Sequence, residues 1–173
     1  MQINTNTTCL TQLPPLSLYI HIPWCIKKCP YCDFNSHALT TTALPEAQYI
    51  NSLSADLEQA LPLIWGRTVR SIFIGGGTPS LFSGDAVNNI LTQVRNLTRL
   101  SPLAEITIEA NPGAVDNEHI SAYAKAGVNR ISFGVQSFNN KHLQSLGRVH
   151  DSNAAVHAIN LAKQYFKQIN LDL

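Results

Sequence analysis

Cys25, Cys29 and Cys32 fall within eight residues of one another, spaced Cys-x3-Cys-x2-Cys. Clustered thiols of this kind are metal ligands or redox groups, whereas a secreted disulfide scaffold spreads its cysteines along the chain. A closed iron–sulfur cluster usually takes four thiolates. Three would leave one iron of a [4Fe–4S] cluster open to an external ligand, such as a cofactor with an amino-carboxylate handle. The alternative is zinc, which accepts Cys3His and could take His21 or His37 as its fourth ligand. An inert set of core thiols fits the loop poorly, because its neighbours are Pro, Lys and Tyr. The fourth cysteine, Cys9, stands alone in a polar tail and reads as a bystander.

Other residues could complete a site. Gly75-Gly76-Gly77-Thr78-Pro79 follows a strand-like run and bares backbone for close approach. It lacks the lysine of a phosphate-binding P-loop and the third glycine of the dinucleotide fingerprint. Alone, such a stretch is more often a tight turn than a site. Glu109, Gln136 and Asp172 each sit at or near the end of a strand, on its polar face. Polar groups there are costly unless paired or liganded, so each is either internally hydrogen-bonded or aimed at a ligand. Arg148, after Gly147, reads as a surface arginine or as a group reaching an anion.

The elements that position these residues alternate between strand and helix. Strands are expected at 17–22, 69–74, 105–110, 130–136 and 168–173. Helices are expected from Pro45, from the capping residue Ser83, from Asp116 to Gly127, near Asn140–Leu146, and near Asn153–Phe166. Repeated βα units predict a parallel sheet with helices packed on it. The strands choose the architecture. Leu18, Ile20 and Ile22 oppose Tyr19 and His21; Ile131, Phe133 and Val135 oppose Ser132, Gly134 and Gln136. A doubly wound sheet, buried on both faces, would show near-continuous apolar runs. One apolar and one polar face favour an α/β fold of the partial (β/α) TIM-type barrel kind, with a lumen that binds something. Barrel sites lie at the C-terminal ends of the strands, where the cysteine loop also lies.

Composition sets limits. The chain has 173 residues, 45% hydrophobic and 13% charged, with net charge +1. That balance gives no electrostatic footprint for nucleic acid. No apolar run approaches a membrane span, and the N-terminus lacks the basic and apolar regions of a secretory signal. Cytoplasmic residence is the expectation. Residues 1–15 read as a polar tail and 16–173 as one incomplete core domain, truncated after about five strands. A chain stopping on a strand leaves an edge unpaired, so these residues are expected to be the front part of a longer protein.

The segment from Tyr19 to His37, YIHIPWCIKKCPYCDFNSH, resembles the cysteine motif of the radical SAM superfamily, in particular the oxygen-independent coproporphyrinogen III oxidase family. GGGTPS, Glu109 to Gly113, RISFGVQSF, Leu146-Gly147-Arg148 and Asn170 to Leu173 follow in that family's order. The resemblance covers nearly everything from Leu13 onward, and its haem-chaperone branch is the nearest in pattern. It implies that Cys25, Cys29 and Cys32 ligate a [4Fe–4S] cluster. It places Tyr31 against the adenine of S-adenosylmethionine, Gly76 and Gly77 at its amino-acid end, Glu109 in polar contact with it, and Tyr19 near the site. Gln136, Arg148 and Asp172 match positions associated with a second S-adenosylmethionine in the oxidase branch. The chemistry implied is reductive cleavage of the sulfonium to a 5′-deoxyadenosyl radical.

Two departures distinguish the branches. The oxidases carry a further cysteine two residues past the trio, where this chain has Phe34, and a long segment before the first strand. Both favour a haem chaperone of porphyrin and haem metabolism over coproporphyrinogen decarboxylation, which remains the alternative. No residue is assigned a catalytic role. The implied partners are haem or a porphyrin, an electron donor and a haem-acceptor protein.

Overall fold

A computed structural model describes residues 12–40 and 43–173; Cys9 lies outside the described residues. The elements run β1 (Leu16–Ile22), β2 (Trp24–Cys25), β3 (His37–Ala38), α1 (Glu46–Ile64), β4 (Thr68–Gly76), α2 (Gly84–Leu97), β5 (Arg99–Ala110), α3 (Asn117–Ala126), β6 (Arg130–Gly134), α4 (Asn140–Ser145), α5 (Ser152–Ala162) and β7 (Gln168–Asp172). Short 3-10 turns, Pro79–Leu81 and Pro112–Ala114, follow β4 and β5.

Five strands form one parallel sheet in the order β1-β4-β5-β6-β7. The order follows the sequence without reversing, unlike a doubly wound sheet, which reverses at a switch point. The sheet does not close, so the architecture is a partial (β/α) barrel. Its outer face carries the core. Ile20, Ile22, Ile72, Ile74, Ile108, Ile131 and Phe133 are buried against Val87, Leu91 and Val94 of α2, Ile120 and Tyr123 of α3, and the small residues Ala155, Ala158 and Ala162 of α5.

The inner face pairs its polar residues across strands. Ser71 donates to Ser17 (2.8 Å), Arg130 to Thr107 (3.3 Å), and Asn170 to Ser132 (3.0 Å). These bonds satisfy groups that burial would otherwise penalise.

Helix ends use local side chains. Ser83 Oγ accepts the Ala86 N–H, Asp116 Oδ1 the His119 N–H, and Asp151 Oδ1 the Ala154 N–H. Gly127 ends α3 in the left-handed region, at φ 105°, where glycine avoids the Cβ penalty. Glu46, in the first turn of α1, accepts both the N–H and the hydroxyl of Ser83 (2.7 and 2.8 Å), joining the starts of α1 and α2.

Several boundaries differ from the sequence expectation. β5 begins at Arg99 rather than residue 105, because its pairing with β4 skips from Leu100 to Glu105 across a bulge holding Pro102. A proline cannot donate to the ladder, which suits it to a bulge. β6 stops at Gly134 rather than residue 136: Gln136 takes φ 68° and turns the chain off the sheet edge, while its N–H bonds Asp172 O at 2.7 Å. α5 ends at Ala162 rather than Phe166. The small β2–β3 ladder was not anticipated.

Tyr123 is fully buried, and its hydroxyl donates to Phe82 O (2.6 Å) with Ser80 O at 3.2 Å. Burial pushes its phenol far above the ordinary range. Tyr123→Phe removes the donor and leaves buried carbonyl groups short of a partner. The expected cost is about 1–3 kcal/mol, read as a lower urea midpoint at unchanged slope; an unchanged midpoint would show that the hydroxyl contributes nothing.

Candidate functional site

The cysteine loop leaves β1 at Ile22 and is held at both limbs. Its outgoing limb is β2, where Cys25 is buried, and its returning limb is β3. His37 N–H bonds Pro23 O (2.8 Å) and Leu39 N–H bonds Cys25 O (2.9 Å). Trp24 packs edge-on against Tyr49 (4.7 Å between centroids) and stacks near Phe82 (5.9 Å), anchoring the loop to α1 and to the turn after β4. Between Cys29 and Cys32 the chain turns on a Cys32 N–H to Cys29 O bond of 3.1 Å.

Three successive carbonyl groups on the returning limb are captured by side chains. Lys28 Nζ donates to Phe34 O and Ser36 O, each at 3.2 Å. His21 Nε2 donates to Asn35 O at 2.7 Å, so Nδ1 is free to accept the Tyr19 hydroxyl at 3.0 Å. The loop is therefore closed by its own polar groups.

The glycine turn lies directly against this loop. Gly77 N–H bonds Ile22 O and Thr78 N–H bonds Trp24 O, both at 2.7 Å. A Cβ on Gly77 would stand 2.5 Å from Trp24 O and 3.0 Å from Cys25 Sγ; one on Gly76, at φ 123°, would stand 2.8 Å from the His21 ring. The glycines are thus required by the approach of the cysteine loop itself.

Charged groups close the other side. Glu109 Oε2 accepts the Gly76 N–H at 3.2 Å. Burial, aided by the nearby Asp172 carboxylate, raises its pKa against the opposing effect of that hydrogen bond. Asp172 accepts from Asn170 Nδ2 (2.8 Å) and from Ser132 Oγ (3.3 Å). Arg148 donates to Gly134 O and stands 3.6 Å from Cys29 Sγ, while its Nε is buried with no partner. Burial raises the Tyr31 phenol, partly offset by the adjacent Arg148 guanidinium.

These groups face one cavity. Its lining includes Cys25, Cys29, Cys32, Tyr31, Gly76, Gly77, Glu109, Gln136, Arg148 and Asp172. Of the residues that the family resemblance assigns to the site, Tyr19 is not part of the lining: it is 56% exposed, stacks on Phe73 at 6.2 Å, and acts on the loop through His21. The lining also includes Thr78 and Pro79 of the glycine turn, together with Lys27, Phe34, Ala110, Asn111 and Gly134, which sequence reasoning did not assign to a site. Phe34 was singled out there only as a branch marker. Thr78 and Asn111 had a readable signal, since each directly follows the end of a strand or its glycines.

The donor set fits a cluster with a small polar ligand better than zinc. Neither His21 nor His37 lines the cavity, and both nitrogens of His21 are engaged. Among the described residues, no three His, Cys, Asp or Glu side chains converge as a single ion requires. The unpartnered Arg148 Nε and the facing carboxylates of Glu109 and Asp172 suit a ligand carrying both charges. Among the described residues, no helix is long and apolar enough to cross a membrane.

Comparison with known proteins agrees with this arrangement. Residues 19–173 match the family model of the radical SAM superfamily. The chain is 51% identical over 169 residues to the "Heme chaperone HemW" of Haemophilus influenzae, covering 95% of this chain and 44% of that protein. It is 52% identical over 165 residues to the Escherichia coli protein of the same name, covering 95% and 43%. It therefore spans less than half the length of these relatives. Among solved structures, the coproporphyrinogen III oxidase (HemN) of Escherichia coli superposes with a TM-score of 0.82 at 31% identity, over 92% of this chain and 37% of that one. Cofactors of the matched superfamily are S-adenosylmethionine and an iron–sulfur cluster, and the chain belongs to the radical SAM superfamily.

Proposed function

We propose that the full-length protein is a cytosolic haem chaperone built on a radical SAM domain, and that its cavity holds a [4Fe–4S] cluster on Cys25, Cys29 and Cys32 beside S-adenosylmethionine. The carrying observation is the convergence of three thiols, a glycine turn and the polar strand ends on one cavity, in a chain half identical to proteins named haem chaperones. Once bound, the cluster and S-adenosylmethionine supply reductive cleavage of a sulfonium.

The protein's residues bind and orient. Cys25 is fixed by the β2–β3 ladder, and Cys29 and Cys32 by the turn between them. Gly76 and Gly77 offer the turn to the amino-acid end of S-adenosylmethionine. Glu109 and Asp172 offer carboxylates to its ammonium group, and Arg148 and Gln136 offer donors to its oxygens. Tyr31 offers a ring face to the adenine. Phe34 occupies the position of the oxidases' extra cysteine, which favours haem delivery over decarboxylation. Haem, a reductant and a haem-accepting protein are the expected partners.

Anaerobic reconstitution of the full-length protein with iron and sulfide tests the cluster. The expected product is brown, with an EPR signal on reduction that S-adenosylmethionine perturbs; alanine at Cys25, Cys29 or Cys32 abolishes it. Tight zinc binding with no such chromophore would sink this reading. Gly77→Ala drives a methyl into Trp24 O and is expected to lower iron bound per chain at least several-fold, measured by iron and sulfide analysis. Incubated anaerobically with coproporphyrinogen III, the protein is expected to bind haem but not to decarboxylate; turnover at a useful rate would establish the oxidase alternative.

A further inference from the structure

His150 is 6% exposed and plays no part in the site as described above. Its two ring nitrogens each stand 3.1 Å from an oxygen: Nδ1 from Asn111 Oδ1 and Nε2 from Val135 O. Asn111 sits at the end of β5, and its N–H donates to Ser80 Oγ in the turn after β4 (3.1 Å). Its Oδ1 already accepts the Gly113 N–H at 2.9 Å, which fixes that side of the amide as oxygen. Val135 lies between Gly134 and Gln136, at the end of β6. A neutral imidazole carries one N–H, so the ring donates to one of these two oxygens and packs against the other, wedged between the C-terminal ends of two neighbouring strands and the segment leading into α5.

That segment carries Arg148, two residues before His150. It enters from Gly147, at φ 70°, where a Cβ would stand 3.0 Å from Pro30 of the cysteine loop. The Arg148 guanidinium donates to Gly134 O and to Cys29 Sγ (3.6 Å), and its Nε has no partner. The Arg148 N–H bonds Leu143 O (2.9 Å), so the segment is held on its N-terminal side by α4 and on its C-terminal side by the His150 ring. Burial and the Arg148 charge both lower the His150 pKa, in keeping with a neutral ring that serves as a structural donor.

We propose that His150 is a positioning residue for the S-adenosylmethionine site: it seats the C-terminal side of residues 147–151 against the ends of β5 and β6, and so helps to hold Arg148 in the cavity. The inference rests on the reading of that cavity given above. It assigns a role to a histidine that touches none of the reacting groups.

The test uses the full-length protein, reconstituted anaerobically, with S-adenosylmethionine affinity read from the perturbation of the reduced-cluster EPR signal. His150→Leu removes the ring's donated hydrogen bond and is expected to weaken binding about tenfold or more, with iron and sulfide content unchanged. His150→Gln keeps a donor and is expected to recover most of the affinity, which a loss through packing alone would not show. In an Arg148→Ala background, His150→Leu is expected to cost little more, because coupled residues are non-additive. If His150→Leu fails to fold, His150→Ala and its double variant with Arg148→Ala carry the comparison: the affinity loss at His150→Ala must then vanish without Arg148. Wild-type affinity in His150→Leu, or full additivity with Arg148→Ala, would overturn the proposal alone. A wild-type protein that binds a cluster but shows no response to S-adenosylmethionine would overturn the cavity reading as well.

Discussion

Two backbone hydrogen bonds, Gly77 N–H to Ile22 O and Thr78 N–H to Trp24 O, join the cysteine loop to the turn after β4. They form only because no side chain stands at Gly77. Through them the β1–β4 pairing extends beyond the sheet edge, so Cys25 inherits the rigidity of the parallel ladder. A loop held this way is preorganised by its scaffold, which lowers the ordering cost of any ligand it binds.

The rest of the site follows from strand alternation. With apolar residues turned out to the helices, each strand must turn polar residues inward, and these either pair with each other or face the cavity. Near the N-terminal ends they pair, as Ser17 with Ser71 and Arg130 with Thr107. Toward the C-terminal ends the pairing thins out, and Glu109 and Arg148 keep capacity to spare. A gradient from satisfied to unsatisfied polar groups is what separates structural barrel residues from ligand-facing ones.

Much of this was legible in the sequence. The alternation in β1, β6 and β7 carried both the partial barrel and the side on which Glu109, Gln136 and Asp172 would lie. Ser83, Asp116 and Gly127 marked helix ends by local chemistry, which is why they were found at the right places. What could not be read depends on contacts distant in sequence. The start of β5 is hidden because Pro102 and Leu103 look like a loop and are one, bulged out of a strand that continues on both sides. The glycines were read as baring backbone for close approach, and the approach that the structure shows at Gly77 is that of the cysteine loop, a partner the local sequence does not name. His150 gave no signal, since its partners Asn111 and Val135 are 39 and 15 residues away.

The cavity draws its lining from Cys25 at one extreme and Asp172 at the other, and the Gln136 N–H that bonds Asp172 O depends on β7 being in place. On the ribosome, the three thiols emerge long before the strand that carries Asp172 to the same cavity. Chains fold N-terminal part first during synthesis, but here that part is the reactive loop and the late part is its shelter. Until β7 docks, the cysteines lack the wall that Asp172 supplies, and their thiols are more open to oxidation. The time between translating residue 32 and residue 172 is therefore an interval of vulnerability written into the topology, and a cell making this protein has reason to keep that interval short.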